Sequence, residues 1–348
     1  MKGQYKKELI SLIDHLKKNK KNFIASAKIE SDVIKYLEKN KFISFNTPII
    51  THGMREYSID TASITLPNKK NHKAFLRHSP QFEKQVITMS TKLKYFQKAP
   101  SVRPGDVDST HVPYLNQLDI EVPYSFKKTK YEQAQKKLIN ILDKTICGGM
   151  RLSGLKVAPT IHMTYKEAMK NYGTDSPYIA PSNSYDVQLL VVKNPPLYQK
   201  YKKSWDTTIL PMAQPIWENK KQEDMFKNNS IEDEEIEKIE VYGYDIILCS
   251  PLINAKKEEI KEGLEVGGGS VRVSDPEVQY TILKKVRSKY IKTFQPLVKT
   301  LEYFQEEDVF TAGAAIGLER LSMVVGKQHD INNIVPIPWK DGRPLFIE

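Results

Sequence analysis

Apolar residues recur at helical spacing from Lys7 to Lys39, at Leu9, Ile10, Leu12, Ile13 and Leu16 and again at Ile29, Val33, Ile34 and Leu37. The gap between the two sets predicts two helices joined near Asn22. Phe42 to Phe45 then reads as a short strand closed by Thr47-Pro48, and residues 51 to 75 read as a polar loop. Ser79-Pro80 is a helix start, with serine as N-cap and proline at the first helical position. On that helix Gln81, Lys84 and Gln85 fall on one face. From Tyr114 to Val122 the period changes to two, with Leu115, Leu118, Ile120 and Val122 as the apolar positions and Gln117, Asp119 and Glu121 sharing the opposite face. An amphipathic helix is predicted over 131–147, a strand over 242–248, a glycine-interrupted strand over 265–273 and a helix over 276–297. Residues 180–240, rich in proline, lysine and glutamate and ending in Glu232-Asp233-Glu234-Glu235, read as a surface insertion in a single domain of residues 1–348.

Composition narrows the class. With 348 residues and 40% apolar content the chain can bury a full core. No apolar run is long enough to span a bilayer, and the charged N-terminus lacks the apolar stretch of a signal peptide. The expectation is a soluble cytoplasmic protein. Cys147 and Cys249 are too few for a disulfide framework or a zinc site. The net charge of +11 comes almost wholly from lysine; only eight arginines occur. Three of them, Arg103, Arg272 and Arg320, sit in stretches marked by glycine or proline, and arginine is the side chain suited to bidentate contact with carboxylate or phosphate.

Three stretches carry candidate chemistry. Gly313-Ala314-Ala315-Ile316-Gly317 is a small-residue strand running into an apolar helix that bears Arg320 on its first turn, an arrangement suited to a phosphate. Glu265-Val266-Gly267-Gly268-Gly269-Ser270-Val271-Arg272 places an acid and a base at the ends of a glycine run. The Gln117, Asp119, Glu121 face is unusually polar for a merely solvated sheet and suits a polar ligand lying across it.

These stretches, in this order, resemble the class II aminoacyl-tRNA synthetases, and among them the bacterial aspartyl group. Phe45-Asn46-Thr47-Pro48-Ile49 is similar to the first signature, Tyr95 to Glu121 to the second, and Gly313 to Leu321 to the third. Ser79-Pro80-Gln81 with Lys84-Gln85, Met163 to Met169 with Tyr172 to Asp175, and Glu265 to Arg272 resemble aspartate-group segments. The resemblance implies an α+β fold with an antiparallel sheet flanked by helices. It implies binding of ATP with Mg²⁺ and activation of aspartate, or a close analogue, to an aminoacyl-adenylate. Arg103 would hold the α-phosphate and the attacking carboxylate. Arg320 would lie near adenine and the γ-phosphate, beside Gly317. Glu265 with Asp245 would hold Mg²⁺. Lys84 and Arg272 would clamp the aspartate side chain, with Gly268 beside them. Asp119 and Gln81 would take its amino group, and Gln117 would lie beside the reacting carboxylate. The first signature implies a homodimer interface.

Departures matter as much. An acid that reads adenine in the family is Gly105 here, the stacking phenylalanine is Leu115, a glutamate before it is Tyr114, and another in the closing loop is His52. The chain opens where the family's catalytic domain opens, so the expectation is that no anticodon-binding barrel precedes it. The leading reading is therefore transfer of the acyl group to ammonia or another non-tRNA amine. An unorthodox aspartate–tRNA ligase and a non-catalytic ligand-binding paralogue are the alternatives.

Overall fold

A computed structural model describes the chain except residues 1, 52–62, 66–72, 104–106, 202–203, 207–211, 255–261, 287–290, 341–342 and 346–348. His52 and Gly105 lie outside the described residues.

Eight strands build the main sheet: β1 (Ile43–Ser44), β2 (Tyr95–Val102), β3 (Tyr114–Tyr124), β4 (Ile161–Thr164), β5 (Gln188–Lys193), β6 (Gly243–Cys249), β7 (Leu264–Val271) and β8 (Phe310–Gly317). Their order is β1-β2-β3-β8-β7-β6-β5-β4. The six inner strands pair antiparallel, and the two edge strands β1 and β4 pair parallel with their neighbours. The α+β class implied by the sequence is the one observed.

Four helices matter for the site: α1 (Lys2–Lys39), α2 (Gln81–Thr91), α3 (Tyr131–Leu152) and α4 (Leu318–Gly326). Leu118, Ile120 and Val122 of β3, with Ala312, Ala314 and Ile316 of β8, join Ile29, Val33 and Leu37 of α1 and Leu138, Leu142 and Ile146 of α3 in the main core. The period-two alternation therefore sends the apolar half of β3 towards α1 and α3. Gln117, Asp119 and Glu121 face the other side, where α2 lies, and all three are buried.

Several expected boundaries shift. The N-terminal region is one helix rather than two. Its core-facing middle positions are polar yet satisfied: Asn22 Nδ2 donates to Asn19 Oδ1 at 3.1 Å and to the Asn333 carbonyl at 3.2 Å, and the Ser26 and Ser322 hydroxyls share a bond of 2.9 Å. A break in the apolar period was thus a change of partner, not a break in the helix. Helix α2 begins at Gln81, and Ser79 Oγ still accepts the Gln81 N–H at 3.1 Å. Within 51–75, expected to be loop, Ile50–Thr51, Ser63–Thr65 and Lys73–Leu76 form a small antiparallel sheet. The expected helix over 276–297 is described as Pro276–Val286 and Ile291–Phe304.

Much of 180–240 is interior rather than surface. Strand β5 lies within the sheet, and Leu197, Tyr198, Ala213, Phe226, Ile231, Ile236 and Ile239 pack with Val278 and Ile282 into a cluster of their own. The hydrophilic composition concealed it, because scattered apolar residues on short helices and turns have no sustained period to read.

Candidate active site

The polar face of β3 carries a buried charged array. Lys84, on the sheet-facing side of α2, donates from Nζ to Asp119 Oδ1 at 2.8 Å and to the Ala314 carbonyl at 3.2 Å, and lies 3.8 Å from Glu121 Oε2. Arg272, just beyond β7, grips Glu121 with two bonds, Nε to Oε1 at 3.1 Å and Nη2 to Oε2 at 3.0 Å, and donates from Nη1 to Ser270 Oγ at 2.9 Å. Side-chain exposure is 1% for Lys84, 0% for Glu121 and 5% for Arg272. Two cations face two acids, so the array is neutral, as burial of charge requires. Asp119 Oδ2 and Gln81 Nε2, in the same region, are buried without a hydrogen-bond partner.

Glycines of β8 and β7 make room for carboxylates. Gly313 pairs with Glu121 across the ladder, and a Cβ there would run into the Glu121 carboxylate. Gly268 plays the same part for Asp245, whose Oδ1 would stand 2.7 Å from an added Cβ. Gly313 and Gly268 thus make room first for the protein's own carboxylates. Gly317 differs. It caps α4 at ordinary φ, and its nearest neighbour to an added Cβ is the Val266 carbonyl at 3.6 Å.

The second cluster lies at the end of β8. Arg320 Nη1 donates to the Glu265 carbonyl at 2.8 Å, Nε to the Thr110 carbonyl at 3.3 Å, and Nη2 faces His111 Nε2 at 2.7 Å. A guanidinium has no lone pair to offer, so His111 Nε2 accepts. Its Nδ1–H then meets Asp108, 2.8 Å away. Partial burial is the largest single influence and raises the Asp108 carboxyl, but bonds from the Thr110 N–H, His111 and the Thr110 hydroxyl together outweigh it and hold the carboxyl below its usual range. Asp108, Thr110, His111, Glu265, Arg320 and His329 share the lining of a cavity of about 660 Å³. Glu319 accepts from the backbone and side chain of Asn116, which locks the start of α4 to the start of β3.

Burial raises the Glu265 carboxyl, while Arg320 and Arg103 pull it back and Asp175 adds to the rise. Asp245, on neighbouring β6, is pushed well up by burial and then by Glu265 and Asp175. Two carboxyls on neighbouring strands, both raised by burial and Asp245 further by Glu265, fit a divalent cation shared with phosphate oxygens, the usual coordination of Mg²⁺. Among the described residues no three His, Cys, Asp or Glu side chains form a protein-only metal cage.

The structure brings together Lys84, Asp119 and Arg272 at one end, and Glu265, Gly317 and Arg320 at the other. Gln117 lies between them, buried, paired across the ladder with Gly317 and accepting from Ser101 Oγ at 3.3 Å. Arg103 sits in the loop after β2, its Nε donating to the His78 carbonyl at 3.4 Å. Leu115 and Tyr114, at the altered adenine positions, open β3, with Tyr114 exposed. Two residues escaped the sequence reading. Glu121, quoted only as part of a polar face, orients Arg272, and the cue was the alternation itself, which makes it the nearest acid on Asp119's side. Nothing local marks His111, because the arginine it meets lies 209 residues away.

Known proteins resemble this chain over part of their length. The aspartate–tRNA(Asp/Asn) ligase of Natranaerobius thermophilus is 32% identical over 158 residues, 45% of this chain and 26% of that protein. The Bacillus subtilis ligase of the same name is 29% identical over 148 residues, 41% of this chain and 23% of its own length. The matched stretch is thus about a quarter of each relative. Among solved structures, asparaginyl-tRNA synthetase of Entamoeba histolytica superposes with a TM-score of 0.62 at 16% identity, over 92% of this chain and 67% of that one. Its complex with asparaginyl-adenylate superposes with a TM-score of 0.63. The family model for class II tRNA synthetases (D, K and N) matches residues 2–341, and the chain belongs to that family.

Proposed function

We propose that the site activates L-aspartate with ATP to an aspartyl-adenylate. The observation that carries this reading is the neutral four-charge array with its buried, unpartnered Asp119 Oδ2. Aspartate adds an ammonium and a side-chain carboxylate. The ammonium satisfies Asp119, with Gln81 beside it, while the carboxylate takes over Lys84 and engages Arg272. One internal pair is exchanged for two pairs with the ligand, and no charge is stranded. Asparagine supplies the ammonium but only a neutral amide to Lys84. A buried charge left without an ionic partner costs about 1–3 kcal/mol or more, hence about 5- to 150-fold discrimination.

The remaining residues serve the displacement. An α-carboxylate oxygen of aspartate bonds to the α-phosphorus, the bond to the bridging oxygen breaks, and pyrophosphate leaves with the electron pair. Arg103 neutralises the reacting phosphate and carboxylate, Arg320 with His111 meets the far end of the triphosphate, and Gln117 positions the carboxylate between them. Glu265 and Asp245 would hold Mg²⁺, which supplies charge neutralisation along the phosphates. Arg103, Glu265 and Arg320 would be superfluous in a protein that only sensed an amino acid.

Pyrophosphate exchange measured across the amino acids tests the reading. Exchange with aspartate well above asparagine is expected. Exchange with none, or equal exchange with both, overturns it. For the acceptor, tRNA is supported by the names of the curated relatives, and ammonia or a small amine is the alternative. Adenylate consumption on adding bulk tRNA or ammonium separates them. Ile43, Phe45 and Ile50 remain exposed where the family signature places an interface, and a dimer is expected on sedimentation.

A further inference from the structure

The outward side of α1 has no role in the proposed chemistry, yet it carries a row of apolar side chains. Leu9, Ile10, Ile13, Leu16 and Ile24 are between 36% and 60% exposed. At 100° per residue all five fall within an arc of about 120°. Lys6, Lys17 and Lys20 stand in the same arc and Lys21 and Lys28 at its edge, all of them exposed. The opposite side fastens the helix to the fold. There His15 Nε2 donates to the Val335 carbonyl at 3.0 Å, Asn22 Nδ2 donates to the Asn333 carbonyl at 3.2 Å, and Asn19, Ile29 and Val33 are buried. Of the nearby acids, Glu8 pairs with Arg343 at 3.4 Å and Asp14 lies outside the arc. Lys6, Lys17, Lys20 and Lys21 make no ion pair with any described residue. The result is a fixed face about 22 Å long from Lys6 to Lys21, at 1.5 Å per residue, that is apolar and cationic at once.

We propose that this face binds the surface of an anionic lipid bilayer. The leucine and isoleucine side chains reach the boundary between headgroups and acyl chains, where the lysines lay their stems while keeping their ammonium groups among the phosphates. The lysines, with the chain's net charge of +11, draw it to a negative surface. The helix lies on the bilayer, since no helix among the described residues is long and apolar enough to cross one. A nucleic acid would engage the lysines and leave five apolar side chains in water. A second copy of the chain also fits poorly, because two such faces would bring like charges together. Moreover, Ile43, Phe45 and Ile50, expected at a dimer interface, follow the far end of α1, whose last residue lies about 35 Å along the axis from Leu16. The face needs neither ATP nor aspartate, so it stands apart from the proposed activation.

The test is co-flotation of the full chain with vesicles of phosphatidylcholine containing about 30% phosphatidylglycerol, and with vesicles of phosphatidylcholine alone, near 0.1 M salt. The parent should float with the anionic vesicles and far less with the neutral ones. An Ile10→Gln/Ile13→Gln variant should bind the anionic vesicles at least about tenfold more weakly, since two of the inserting side chains are gone. A Lys17→Gln/Lys20→Gln/Lys21→Gln variant should lose about fivefold per lysine on anionic vesicles and nothing on neutral ones. Both variants should keep the parent's unfolding midpoint and any pyrophosphate exchange, because the substituted side chains are exposed and remote from the site. An environment-sensitive dye on Ile13→Cys should shift to the blue on anionic vesicles, which reports insertion rather than mere attraction. No flotation of the parent, equal flotation of the Ile10→Gln/Ile13→Gln variant, or a dye that stays in water overturns the proposal. So does self-association without vesicles that the Ile10→Gln/Ile13→Gln variant loses, which would give the face to a second copy. Failure of exchange in the parent would instead strike the proposed activation and leave this face standing.

Discussion

Glu121 and Arg272 give the sharpest test of how the buried array holds the fold and the site together. Replacing Glu121 with leucine strands Arg272, which loses both of its carboxylate bonds, and removes the second acid near Lys84. Replacing Arg272 with methionine strands Glu121 in turn. Breaking a buried pair from one side costs about 3–5 kcal/mol. Domains of this kind keep about 5–15 kcal/mol in all, so each single variant should be severely weakened. The double variant removes both charges at similar volume and should cost far less than the two singles together. A coupling of at least about 2 kcal/mol is expected. Urea unfolding followed by circular dichroism at neutral pH, on all four members of the cycle, measures it. Coupling below about 0.5 kcal/mol would refute the claim that the pair stands or falls as a unit. The double variant also separates stability from chemistry. It should fold but give no aspartate-dependent exchange, and normal exchange would remove Arg272 from the proposed clamp.

Other outcomes follow from the same structure. Gly313→Ala should destabilise markedly, since its methyl displaces the Glu121 carboxylate, whereas Gly317→Ala should unfold like the parent and lose affinity for ATP; equal unfolding midpoints for the two would contradict this. Arg103→Ala and Arg320→Ala should each abolish pyrophosphate exchange while leaving the fold intact. Asp245→Asn should raise stability near neutral pH, because burial and Glu265 make ionised Asp245 unfavourable in the folded chain. A carboxyl raised on folding penalises the native state above its ordinary value near 4, so the gain should vanish as melts are taken down towards pH 4, while exchange is lost throughout. Burial pushes the Cys147 thiol up to about 12, with Asp143 adding to it, and the Cys249 thiol up to about 11. Neither should react with a disulfide reagent at pH 8 until the chain is unfolded, and rapid labelling of the native protein would show that one of them is accessible.

The amino-acid sequence by itself determined what depends on short-range period and residue type. Alternation along β3 already separated Leu118, Ile120 and Val122 from Gln117, Asp119 and Glu121, because successive side chains of a strand must point to opposite faces. The rarity of arginine singled out Arg103, Arg272 and Arg320, two of which the structure places in the charged array or the cavity lining. Three things waited for the tertiary structure, and each is a matter of partners distant in the chain. Polar residues along α1 looked like a break until Asn333 and Ser322, 311 and 296 residues away, supplied their hydrogen bonds. The hydrophilic stretch 180–240 hid a cluster that is completed by Val241, Val273, Val278 and Ile282. Lys84 and Arg272 read as two free cations awaiting a ligand, yet Asp119 and Glu121, 35 and 151 residues distant, already hold them. A local pattern assigns a side chain to a face; only the packing of one face on another decides which charge it meets, because burial leaves no water to stand in for the partner.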